Sequence, residues 1–131
     1  MSDKTNSVLA TAAGAISAYR IIKLDAVDPT RATTAGLGDV GLGVSLAAAS
    51  AAGDELLVAI DGYALVDFGG TVNPYTEVTT DASGAAIEAV ALSGHATIGY
   101  YCPEPVDGAV SAISSGERGR IVLYNYKGRT V

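Results

Sequence analysis

The chain has 131 residues, 49% of them hydrophobic, with 16 glycines, one Phe, no Trp, one Cys and a formal net charge of −6. That length suits one domain able to bury about two thirds of its unfolded surface, and the acidity makes nucleic acid and anionic membranes poor partners. Cys102 stands alone, which excludes an internal disulfide, and no Cys pair or Cys/His cluster has the spacing of a zinc site.

Residues Met1 to Ala13 are polar and then small, without a period, and are expected to form a flexible arm ahead of a domain spanning 14–131. The apolar residues of the first twenty are broken by Gly14, Ser17 and Arg20, too short a run for a membrane span and a poor secretory signal. Synthesis in the cytoplasm is expected. Ala15 to Asp25 (AISAYRIIKLD) is rich in β-branched and aromatic residues and reads as a strand, with Asp28-Pro29 as the following turn. Thr30 to Thr34 reads as a second, short strand. Gly36, Gly38, Gly41 and Gly43 mark backbone that turns or approaches other backbone closely, and Val40 to Leu46 is the next strand. Leu46 to Ala52 is rich in Ala, yet seven residues ending at Gly53 are too few for a stable helix, so a loop with one helical turn is expected.

From Glu55 to Asp61, Leu56, Val58 and Ile60 alternate with Glu55, Leu57, Ala59 and Asp61, and Asp61-Gly62 is a hairpin-turn signal before Tyr63 to Phe68. A second hairpin is expected from Thr76–Thr80, the turn Asp81–Gly84 and Ala85–Leu92. His95 to Cys102 is a strand stopped by Pro103 and Pro105. Val106 to Gly119 is mostly loop, and Gly119 to Tyr126 is the last strand, with Ile121 and Leu123 on one face and Arg120, Val122, Tyr124 and Tyr126 on the other. Short strands at this spacing predict an all-β fold, a small barrel or sandwich. Its side chains are small, so the core is thin and self-association would offset the deficit.

Residues suited to catalysis are sparse. His95 is the only histidine, and a lone His in a strand reads first as a structural residue. The glycine-rich GLGDVGLG at 36–43 lacks the Lys and Ser/Thr of a phosphate-binding loop, no G-x-S-x-G elbow is present, and Asp54, Glu55 and Asp61 lack calcium-loop spacing. No enzyme activity, cofactor or metal is expected. Every charge from Ala32 to Glu117 is acidic. Arg118, Arg120, Lys127 and Arg129 therefore read in two ways, as a basic edge for an acidic partner or as counter-charge for the chain's own carboxylates.

The order of segments resembles a family of small tailed-phage head proteins, the capsid cement or decoration proteins. The likeness is carried by Tyr19–Lys23, Gly43–Ser45, Gly53–Val66, Asp81–Gly84 and Ile98-Gly99. What the resemblance implies is a small β-barrel or β-tulip-like fold, a noncatalytic role and a homotrimer seated on the outer surface of a virion capsid, bridging subunits of the major capsid protein. It also implies a terminal arm reaching across the shell, which by position makes Ser2, Asp3, Lys4, Thr5 and Asn6 candidate contacts, alongside Arg118 and Arg120. The Leu46–Ala52 loop is expected to face a protomer or the shell. An alternative expectation is a small β-barrel adhesion or carbohydrate-binding module, favoured if Tyr63, Tyr75, Tyr100 and Tyr101 line one groove.

Overall fold

A computed structural model describes residues 5–89, 94–123 and 129–130. Its strands are β1 (Thr5–Thr11), β2 (Ile21–Leu24), β3 (Ala32–Thr34), β4 (Gly43–Ser45), β5 (Glu55–Asp67), β6 (Glu77–Thr80), β7 (Ala86–Glu88), β8 (Ala96–Thr97), β9 (Gly99–Tyr101), β10 (Arg118–Leu123) and β11 (Arg129–Thr130). The described residues contain no helix, and the fold is all-β as expected. Nine strands form one sheet in the order β3-β2-β4-β5-β10-β9-β6-β7, with β1 also paired to β5, and β8 pairs with β11 in a small second sheet.

The spine of the sheet is β5, and here the sequence expectation fails. Asp61-Gly62 does not turn the chain back. Glu55 to Asp67 is one strand of 13 residues. Gly62 does adopt the left-handed conformation (φ 83°), but it bends a continuing strand. Gly62 is also the junction of two partners, opposite Thr5 in β1 and Leu123 in β10. Just before it the register slips by one residue, Asn6 lying opposite Asp61 but Ser7 opposite Ala59. One extra residue reverses the facing of all that follow. Leu56 and Val58 consequently belong to one buried cluster, together with Ala12, Ile16, Ile22, Ala32 and Ala49, whereas Ala64 and Val66 join a second.

That second, larger cluster is built on Phe68, Val72, Val78, Ile98, Tyr101, Ile113, Ile121 and Leu123. Phe68 and Tyr101 meet edge to face with ring centroids 5.2 Å apart. Both ends of the sheet curl back. Ala12 bridges Ala32 in parallel and the Ala13 N–H donates to the Ala32 carbonyl at 2.8 Å, joining the end of β1 to β3. Phe68 likewise bridges Ala86, and the Gly69 N–H donates to the Ala86 carbonyl at 2.9 Å, joining the end of β5 to β7. Each cluster thus sits inside its own curl of sheet, with β5 common to both. This barrel-like closure leaves few open edges.

The expected flexible arm over 1–13 is revised from Thr5 onward. Thr5 to Thr11 is a strand because Val8 and Ala10 pair with Val58 and Leu56, and Ala12 is fully buried behind them. Residues Ser2, Asp3 and Lys4 lie outside the described part. The expected strand from Ala15 contracts to Ile21–Leu24, since Tyr19 takes a left-handed conformation (φ 64°) and the buried Ser45 hydroxyl donates to the Ser17 carbonyl at 2.7 Å. Leu46–Ala52 is a loop without a helical turn, and its Ala49 is buried in this chain's own core, bridged to Ile16.

The β6–β7 hairpin agrees with expectation. The Asp81 carboxylate accepts from the Ser83 and Ala85 N–H groups at 2.8 and 2.9 Å, and Gly84 (φ 78°) completes the turn. The expected continuation to Leu92 runs into 90–93, outside the described residues. The expected strand from His95 is split at Ile98 into β8 and β9, and Val106–Gly116 is loop apart from isolated bridges. Tyr124 and Tyr126 of the last expected strand are outside the described residues.

Candidate interaction surface

Beyond the register slip, β5 turns Ala64 and Val66 inward and leaves Tyr63, Leu65 and Asp67 facing out. Strand pairing sets Val122 opposite Tyr63, Arg120 opposite Leu65 and Arg118 opposite Asp67. One outer face therefore collects both arginines singled out from the sequence. Asn6 lies on a different strand, where its side-chain amide donates to the Asp61 carboxylate at 3.2 Å, and Thr5 stands opposite Gly62 at the start of β1.

Each arginine is bound within the chain. Arg118 Nε donates to Asp67 Oδ1 at 2.7 Å while its guanidinium lies 3.8 Å from the centre of the Tyr19 ring. The Asp67 hydrogen bond raises the Arg118 pKa above its ordinary value. Asp67 also faces Arg20, whose Nε is 3.5 Å from Oδ2. Arg120 Nε donates to the Cys102 carbonyl at 2.9 Å, its Nη1 meets Glu104 at 3.3 Å, and its guanidinium lies 4.4 Å from the centre of the Tyr63 ring. Two arginine–tyrosine stacks thus stand side by side, each closed by a carboxylate. Counter-charge within the chain is their visible role.

Between the stacks lies an open groove of about 400 Å³, lined by Tyr19, Leu46, Tyr63, Ala64, Leu65, Glu104 and Arg120. Its floor is largely apolar, and Leu65 is half exposed. Sequence reasoning missed Tyr19, Leu65 and Asp67. Alternation from Tyr63 to Asp67 was the available signal, and the hairpin assignment at Gly62 obscured which way those residues point.

The tyrosines proposed for a glycan groove do not converge. Tyr63 and Tyr100 share a row through Val122, but Tyr101 is buried against Phe68, and Tyr75 is exposed in a turn. Burial raises the Tyr101 pKa, as does the neighbouring Glu117 charge to a smaller degree. His95 is half-buried and its ring packs so closely on Gly38 that a side chain there would collide with it.

No family model matches this chain, and no curated protein matches it in sequence. Its structure is similar to a solved one, the head fiber gp8.5 N base in bacteriophage phi29, with a TM-score of 0.67, 18% sequence identity and coverage of 92% of this chain and 95% of that chain. At that identity the likeness is one of fold, and it extends over nearly the whole of both chains: the double-curled all-β sheet described above is shared with a base domain of a phage head fiber.

Proposed function

We propose that this chain is a noncatalytic structural protein of a bacteriophage virion that binds the outer surface of the head as a homotrimer and stabilises it by bridging subunits of the major capsid protein. The fold likeness to a phage head fiber base, over nearly the whole of both chains, is the observation that carries the reading. The sequence resemblance to tailed-phage cement proteins leads to the same place. A protein that binds only the joined state of neighbouring subunits stabilises that state by mass action, and three linked copies act at high effective concentration, so each contact need only be weak.

The test uses purified protein and empty shells assembled from the major capsid protein of the same phage. Co-sedimentation to a saturating ratio, together with a rise in the temperature at which the shells come apart, is expected. Failure to sediment with shells, or sedimentation with no change in shell stability, removes the reinforcing role.

A further inference from the structure

Besides the Leu9–Leu57 pair across β1 and β5 and the separate exposed side chains of Tyr75 and Val106, two apolar surfaces stay uncovered among the described residues, and they lie at different places on the molecule. One is the groove between the arginine–tyrosine stacks. The other is the end formed by the β2–β3 connection and the 36–40 loop, where Leu24, Leu37 and Val40 are more than half exposed and Val27 is 94% exposed. Lys23 Nζ, on β2, holds the 36–40 loop beside this end through Asp39 Oδ2 at 2.8 Å.

The Val27 tip is held in shape before anything binds it. Asp25 Oδ2 accepts from the Val27 and Asp28 N–H groups at 3.2 and 2.9 Å, Asp28 Oδ1 accepts from the Thr30 N–H at 3.1 Å, and Arg31 pairs with Asp28 at 3.5 Å. Burying such a tip costs little ordering entropy. Its charged residues are Lys23, Asp25, Asp28, Arg31 and Asp39, an excess of one negative charge. Around the groove stand Arg20, Arg118 and Arg120 against Asp67 and Glu104, an excess of one positive charge. Surface and counter-surface are apolar at the centre, with charged groups of opposite excess at the rim.

We propose that the Val27 end of one copy seats in the Tyr19–Leu65 groove of a second copy. This inference rests on the homotrimer of the proposed function and names its contact. Because end and groove are different patches, the contact is head-to-tail, and a threefold rotation closes it into a ring in which every copy supplies one of each. The apolar end is then buried within the assembly.

The experiment is light scattering of purified Val27→Asp, Leu65→Asp and a one-to-one mixture of the two, with circular dichroism confirming that each variant is folded. The parent is expected as a trimer and each variant alone as a monomer. Val27→Asp keeps an intact groove and Leu65→Asp an intact end, so the mixture is expected to form a heterodimer that cannot close. A trimer that persists in either variant overturns this contact while leaving a trimer by some other surface. A mixture that stays monomeric also overturns it, and a monomeric parent removes both the contact and the trimer.

Discussion

At the scale of single residues, close backbone approach decides more than side-chain chemistry does. A Cβ at Gly43 would overlap the Ala59 carbonyl oxygen, where β4 packs on β5. Gly43→Ala is expected to destabilise by about 2 kcal/mol or more, because the colliding atom is backbone and has nowhere to move. Thermal melting followed by circular dichroism reads this as a drop of several degrees. Asp39 provides a pH test. Its carboxylate is held below the ordinary aspartate value of 3.8, first by the hydrogen bond from Lys23 and then by the Gly36 N–H. A lowered folded pKa contributes stability that is complete above the unfolded value and disappears as the pH falls through the folded one. Asp39→Asn should therefore melt below the parent at neutral pH, with the gap closing in acid. Urea titrations at a series of pH values check it, and the gap is modest because the ion pair is partly exposed.

At the scale of elements, β5 shows how one glycine serves two readings. Asp-Gly between alternating apolar runs is the usual signature of a hairpin, and the left-handed conformation that signature implies is present at Gly62. The strand nevertheless continues, because β1 pairs with its first half and β10 with its second. Local preference is satisfied either way, and only these long-range partners distinguish a bend from a turn. Gly62→Ala is expected to cost about 1 kcal/mol through backbone strain. Its distinguishing sign is loss of amide hydrogen-exchange protection on both sides of the bend, in Val58 and Ala64 alike; loss confined to one side would mean that the halves of β5 fold independently. The arm is a similar case. Nothing in TNSVLAT alone demands order, but Val8 and Ala10 find places beside Val58 and Leu56.

For the whole molecule, the open question is how a domain with so few large side chains is stabilised in use. Phe68 is the one phenylalanine, fully buried and in contact with Tyr101. Phe68→Ala should cost about 3–5 kcal/mol, seen as loss of a cooperative melt near ambient temperature. The proposed trimer would add to the stability of this core. If three weak contacts act together, monomeric Val27→Asp should bind shells about a hundredfold more weakly than the parent, even though the mutated tip need not touch the shell. Titration of labelled protein onto empty shells measures the ratio, and equal affinities would mean that the trimer adds nothing to binding.

The all-β class, the β6–β7 hairpin and the absence of a familiar catalytic motif were legible in the amino-acid order, because glycine placement, β-branched runs and turn residues act over a few positions. The facing of Tyr63, Leu65 and Asp67 was not. Alternation puts these three on one face, but which of the two buried clusters lies behind them depends on a one-residue slip opposite β1, a strand about fifty residues earlier in the chain. Nor did Arg118 and Arg120 disclose their partners, since Tyr19, Asp67, Tyr63 and Glu104 come from separate parts of the chain. Local sequence sets what each segment can form. Which surface is left uncovered is decided only when distant segments compete for the same strand edges, and that competition is settled by tertiary structure.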